Sequence, residues 1–229
     1  MILKIKNNIS LVSLHIPKTA GTSFRSILKN EFGRRTVARF DIYPSGKIKL
    51  DEKSFEKTEL HKKIQVIHGH YTYHSLTNTL DLSPSVSFIT WLRDPVERVI
   101  SNYFFLRKIV AERLNETPEE NLMNRIGKTL EEFVVMEENQ NVMSKFLNGA
   151  NLSSFKFVGF QHDFETEIKR LEQIMQWKKI KNVEYNVTGN VPKISESATL
   201  DLIKKCNAED VSLYNSALSQ RTNSIHLHS

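Results

Sequence analysis

The chain holds a single cysteine, Cys206, in 229 residues. One thiol forms no internal disulfide framework and no cysteine-based zinc site, and such sparse usage suits a reducing compartment. No apolar run reaches the roughly 20 residues that span a bilayer. The lysine-bearing start, Met1–Asn8, leads into a strand-like run and not into a signal core, so the expected location is the cytoplasm, or the soluble part of a membrane-anchored enzyme. The sequons at Asn8, Asn115, Asn151 and Asn186 carry meaning only for a secreted chain. Internal repeats, low-complexity tracts and linker-like segments are all missing, which predicts one domain over residues 1–229. The formal charge is +6, yet 32 basic residues are interspersed with 26 acidic ones. Without a continuous basic stripe, nucleic acid is not an expected partner.

What is present begins with Leu11–Ser23, which reads as strand, loop and helix start. Ile9, Leu11, Val12, Leu14 and Ile16 form a short apolar run with the length of a buried strand, and Pro17 ends it because proline donates nothing to a ladder. Thr19, Ala20, Gly21, Thr22 and Ser23 are all small, so backbone N–H groups can close on an oxyanion. Phe24, Ile27 and Leu28 then open a helical period, running to about Phe32 and stopped by Gly33. Lys18 sets a cation at the mouth of this nest, while Thr22 and Ser23 add hydroxyls, a set suited to phosphate or sulfate. The usual nucleotide-triphosphate loop places Lys after its second Gly, whereas Lys18 precedes Gly21. An ordinary capped strand-to-helix connection would share most of these features.

Two further stretches carry chemistry. Ile64–Ile67 reads as a buried strand running into His68-Gly69-His70, followed by His74. No Cys, Asp or Glu completes a tetrahedral metal set before Asp81, so no metal is expected. Histidine takes a hydroxyl proton near neutral pH, and Gly69 would let backbone approach a substrate, while the plainer alternative has both imidazoles satisfying buried backbone groups. Val86–Leu92 is a third strand that switches at Arg93-Asp94-Pro95-Val96-Glu97 into a long helix. Asp94 is placed to cap it, Pro95 suits its first position and Glu97 would complete a capping box. Arg93 and Ser101 could converge on a second phosphate, Arg by its planar fork and Ser by its hydroxyl.

Elsewhere, Val37–Tyr43 is an expected strand before a Pro44–Gly46 turn, and Asp51–Lys63 an expected short polar helix. Helices are expected over Glu119–Arg125, Thr129–Glu138 with a Thr-x-x-Glu box, and Gln140–Leu147. Phe157–Phe160 reads as a strand and Asp163–Trp177 as an amphipathic helix, with a strand or loop over Val183–Val191 and two helices over Thr199–Asn207 and Ala208–Ser219. Strands alternating with helices predict an α/β fold, a parallel sheet covered by helices on both faces, with the ligand crevice at the strands' carboxyl ends.

His15-Ile-Pro-Lys-Thr-Ala-Gly-Thr-Ser23 resembles the 5′-phosphosulfate loop of sulfotransferases that use 3′-phosphoadenosine 5′-phosphosulfate (PAPS), in particular the carbohydrate sulfotransferases of the group containing heparan sulfate 2-O-sulfotransferase. His68-Gly69-His70 is similar to that family's histidine motif, Arg93–Tyr103 resembles its 3′-phosphate signature, and Asp210, Leu213 and Tyr214 resemble its late Asp-x-x-Leu-Tyr. The resemblance implies a P-loop-like fold and sulfuryl transfer from PAPS, leaving PAP, to a hydroxyl of an acceptor, expected to be a saccharide or glycan. It implies Lys18, Thr19, Ala20, Gly21, Thr22 and Ser23 as the phosphosulfate loop, Arg93 and Ser101 on the 3′-phosphate, His70 as base, His68 as auxiliary and Lys18 as a catalytic cation. Lys193, in the Pro-broken stretch Asn190–Ser195, is the candidate for the family's late basic loop over the nucleotide. Two alternatives stay open at this point, a phosphotransferase with an aberrant nucleotide loop and a non-catalytic glycan- or nucleotide-binding module.

Overall fold

The computed structural model describes residues 4–113, 127–177 and 194–226. These fall into two compact units interleaved along the chain, one of residues 1–92 and 145–186, the other of residues 93–144 and 187–229.

The first unit is built on a seven-stranded sheet. Its strands are β1 (Leu11–Leu14), β2 (Val37–Ile42), β3 (Ile48–Leu50), β4 (Lys53–Ser54), β5 (Val66–Gly69), β6 (Ser87–Leu92) and β7 (Phe157–Phe160), in the order β4-β3-β2-β5-β1-β6-β7. β2, β5, β1, β6 and β7 are parallel to their neighbours, as expected, and β3 and β4 add an antiparallel edge. From β1 the chain passes over to β2, returns to β5 beside β1, then crosses to β6 on the other side. That reversal puts a topological switch point at the carboxyl end of β1, where α/β sheets hold ligands.

Strand alternation sends Leu11, Val37, Val66, Ile89, Trp91 and Phe157 to one face. There they bury Phe24, Ile27 and Leu28 of α1 (Gly21–Phe32) and Phe164, Ile168 and Leu171 of α6 (Phe164–Met175). Each large side chain so enclosed contributes about 1.5–3 kcal/mol. On the opposite face Phe88 meets Tyr73 of α2 (Tyr73–Thr79), and Leu76 of that helix is fully buried. The sheet is thus covered from both sides.

Asp51–Lys63 contains no helix. Asp51 and Glu52 both take left-handed backbone angles, φ 46° and 71°, and form the two-residue turn that joins β3 to β4. A tight hairpin needs that twist, and the polar character of the stretch reports exposure and not helical period.

The second unit is helical in its described part. α3 (Pro95–Arg113), α4 (Leu130–Val134) and α7 (Ser197–Cys206) enclose Val99, Ile100, Tyr103, Leu130, Phe133, Val134 and Ile203. Thr129 caps α4 with the expected capping box, Thr129 Oγ1 accepting from Glu132 N and Glu132 from Thr129 N. α8 (Ala208–His226) supplies Asp210, whose two carboxylate oxygens accept from Met143 N and Ser144 N at the start of α5 (Val142–Phe146), at 3.1 and 2.8 Å. The expected helix over Glu119–Arg125 and strand or loop over Val183–Val191 lie outside the described residues.

Candidate active site

The loop from β1 to α1 is built against the grain of its residue types. Lys18 and Ala20 both adopt left-handed angles, φ 71° and 75°, although neither is glycine. Each such residue costs about 1–2 kcal/mol, a strain that persists only where the surrounding structure over-determines the backbone. Alternating backbone handedness turns successive N–H groups inward, and α1 begins directly behind with Ala20 at its N-cap, no capping side chain and no acidic residue in its first turn. Left-handed residues alternating ahead of an uncapped helix start are the backbone pattern of an anion-binding nest. Thr19 is fully buried and its Oγ1 donates to Ile16 O at 2.8 Å, so its hydroxyl is committed to shaping the loop. Thr22 is exposed and Ser23 buried.

Gly21 is required by a close approach. A Cβ there would run into the imidazole of His15, which the strand alternation places on the same face as Ser13. His15 stacks on His68, ring centroids 4.8 Å apart, and tilts against His70 at 4.3 Å. The imidazole of His15 thus lies between the start of α1 and the two histidines at the end of β5. His74, in contrast, sits on α2 against Asn78. Among the described residues no group of three or more His, Cys, Asp or Glu side chains is arranged to hold a metal ion.

His70 is half-buried. Its Nδ1 lies 3.0 Å from the His15 carbonyl oxygen. A carbonyl only accepts, so Nδ1 carries the hydrogen and Nε2 keeps its lone pair, the tautomer a general base needs. Burial holds His70 below its ordinary pKa, with the Asp41 carboxylate and the His15 carbonyl pulling upward and Arg39 downward. His68 is buried, shares a 2.9 Å hydrogen bond with Ser13 Oγ, and is lowered to about 3 by desolvation and by the neighbouring His70. Burial, with His68 and His70 beside it, likewise holds His15 well below its usual value. All three imidazoles are therefore neutral at pH 7.

Gly69 serves the sheet and not a substrate. A Cβ would strike the Phe40 carbonyl of β2 and crowd Asp41 Oδ1, so the glycine lets β2 draw close to β5.

In the second unit, Asp94 Oδ1 accepts from Glu97 N at 3.0 Å, the expected cap at the start of α3. Glu97 itself turns to Arg93, whose Nε lies 3.4 Å from Glu97 Oε2. Asp94 is thus explained as a cap and not as a magnesium carboxylate. Ser101 is 1% exposed, and its Oγ has no hydrogen-bond partner among the described residues. An orphaned buried hydroxyl on the helix that Arg93 precedes fits a ligand oxygen. Arg98 is equally buried, lies 3.9 Å from Asp210 and donates to Asn139 O. Burial pulls it down to about 10, Asp210 opposing. Lys193 lies outside the described residues.

Sequence reasoning missed His15, Asp41 and Arg98. His15 was legible, since it continues the alternation Leu11, Ser13 to the last step before Pro17. Asp41, in the otherwise strand-like Val37–Ile42, carried a weaker signal. The Arg98–Asp210 pair spans more than 100 residues and left none.

The model of the sulfotransferase family matches residues 3–216, so the chain belongs to the sulfotransferase family. No curated protein matches it. Among solved structures, the mouse sulfotransferase SULT7A1 complexed with PAP aligns at 11% identity and a TM-score of 0.40, covering 88% of this chain. The chain spans 64% of the length of that protein.

Proposed function

We propose that this chain transfers the sulfuryl group of PAPS to a hydroxyl, with His70 as general base and a saccharide as acceptor. The observation that carries the reading is the meeting, at the ends of adjacent strands β1 and β5, of a strained amide loop bearing Lys18 with an imidazole whose Nε2 is left basic. The backbone amides of Lys18–Ser23, with the Thr22 and Ser23 hydroxyls, receive the 5′-phosphosulfate, and Arg93 and Ser101 receive the 3′-phosphate. Family membership and the orphaned Ser101 hydroxyl support that division. His68 acts as an auxiliary by supporting the base loop, and Lys193 is the candidate for closing over the nucleotide.

The acceptor oxygen attacks sulfur as the bond from sulfur to the bridging phosphate oxygen breaks. His70 Nε2 takes the acceptor's proton, and PAP leaves with the electron pair on its 5′-phosphate. Lys18 and the loop amides stabilise the charge that grows on that oxygen, an interaction strongest in the transition state. A saccharide is favoured because the motif resemblance is to the carbohydrate sulfotransferases.

The test is calorimetric titration with PAP, ATP and GTP in parallel, followed by an acceptor screen with sulfur-labelled PAPS. The expected result is selective binding of PAP and label on a glycan hydroxyl. Preference for ATP or GTP over PAP would overturn the reading.

A further inference from the structure

Asp41 is a buried carboxylate that none of the family-like motifs contains. It stands on β2, its side chain on the same sheet face as Arg39, and is 3% exposed. Both oxygens are engaged. Oδ1 accepts from the His70 backbone N–H at 2.8 Å, and Oδ2 pairs with Arg39 Nε at 2.7 Å. Arg39 is itself held from outside by the hairpin turn, its amide donating to Asp51 Oδ1 and its Nη1 pairing with Glu52. β2 reaches His70 this closely because residue 69 has no side chain. A buried charge needs partners to persist, and here one partner is the backbone of the base.

We propose that Asp41 is a positioning residue for His70: it clamps the base's amide and, tempered by Arg39, supplies the negative field in which Nε2 takes the acceptor's proton. This rests on the sulfuryl-transfer reading for the identity of the proton's source, but not for the clamp itself. The His70 imidazole is then held at two points, its amide by Asp41 and its Nδ1–H by the His15 carbonyl. The other groups facing it among the described residues are the neutral imidazoles of His15 and His68, and the Phe146 ring, nearly perpendicular with centroids 6.5 Å apart. Among the described residues, Asp41 and Arg39 are the formal charges that shift it, with opposite signs. A carboxylate stabilises the imidazolium that forms during transfer, and the guanidinium opposes it.

The experiment follows the His70 ring resonances by NMR through a pH titration of the full chain, assigned with His70→Gln, in wild type, Asp41→Asn and Arg39→Gln. Asp41→Asn keeps an oxygen for the amide but removes the charge, so His70 should titrate about one unit lower. Arg39→Gln should move it upward. Loss of structure would relieve burial and move His70 upward, so the downward shift in Asp41→Asn is the signature of the clamp; should Asp41→Asn fail to fold, Arg39→Gln carries the test once circular dichroism and the denaturation midpoint show it folded like wild type. In turnover, the acidic limb of the kcat–pH profile should follow each shift while PAP affinity stays unchanged. An unmoved titration in either folded variant, or shifts of the same sign, overturns the proposal. Opposite shifts in a protein that sulfates no acceptor would uphold the clamp and overturn the sulfuryl-transfer reading instead.

Discussion

At the scale of single residues, His70 and Ser101 make opposite statements about what a ligand supplies. His70 is fully arranged, with Nδ1 committed to a carbonyl and Nε2 left basic. Because burial lowers its pKa, the neutral form predominates at pH 7, and the rate should fall only as the pH drops below the ordinary histidine value of about 6.5. His70→Ala should lose about 10²–10⁴-fold in kcat, and that acidic limb with it, while PAP binds as before. Normal turnover in the variant would sink the base assignment. Ser101, by contrast, is incomplete, its buried hydroxyl lacking a partner among the described residues. An unsatisfied buried polar group costs about 1–3 kcal/mol, so Ser101→Ala should leave the free protein as stable or more so. The same substitution should weaken PAP in calorimetry and leave adenosine 5′-phosphosulfate, which lacks the 3′-phosphate, unaffected. Equal effects on both ligands would make Ser101 a packing residue.

At the scale of elements, the strands were legible because apolar runs of strand length bounded by proline, glycine and polar turns admit few other readings. Phe157–Phe160 matches its expectation, and β1, β2, β5 and β6 differ from theirs only at their ends. The sequence hid what depends on backbone conformation or on distant partners. The Asp51-Glu52 turn contains no glycine and places Glu52, as well as the more tolerant Asp51, at positive φ, which propensity does not favour for Glu. The late Asp210 looked like part of a family signature, and its carboxylate is occupied with capping α5 and facing Arg98. Asp210→Ala should therefore act on structure, leaving a buried guanidinium uncompensated at about 3–5 kcal/mol. Urea denaturation read by circular dichroism checks this, with Asp210→Asn losing less because one oxygen still caps. A loss no larger than that of a surface substitution would show that the pair contributes little.

For the molecule as a whole, the neutral histidines tie stability to pH. His68 titrates near 3 when folded and near 6.5 when unfolded, and His15 is lowered in the same direction. Between those values the unfolded chain binds a proton that the folded chain refuses, so stability is fully present above about pH 6.5 and declines as the pH falls toward 3. For His68 alone the slope is about 1.4 kcal/mol per pH unit, a large fraction of a net stability of about 5–15 kcal/mol over two units. The carboxylates add their own acid sensitivity only below about pH 5, so the window from 6.5 to 5 isolates the imidazoles. His68→Gln cannot titrate, and it should be less stable than wild type at pH 7.5, where it loses the stacked ring and the bond to Ser13. Its denaturation midpoint should nevertheless fall less steeply between pH 6.5 and 5, because the ring that refuses the proton is gone. Parallel midpoint curves for the two proteins over that window would mean that His68 is not held neutral by the fold.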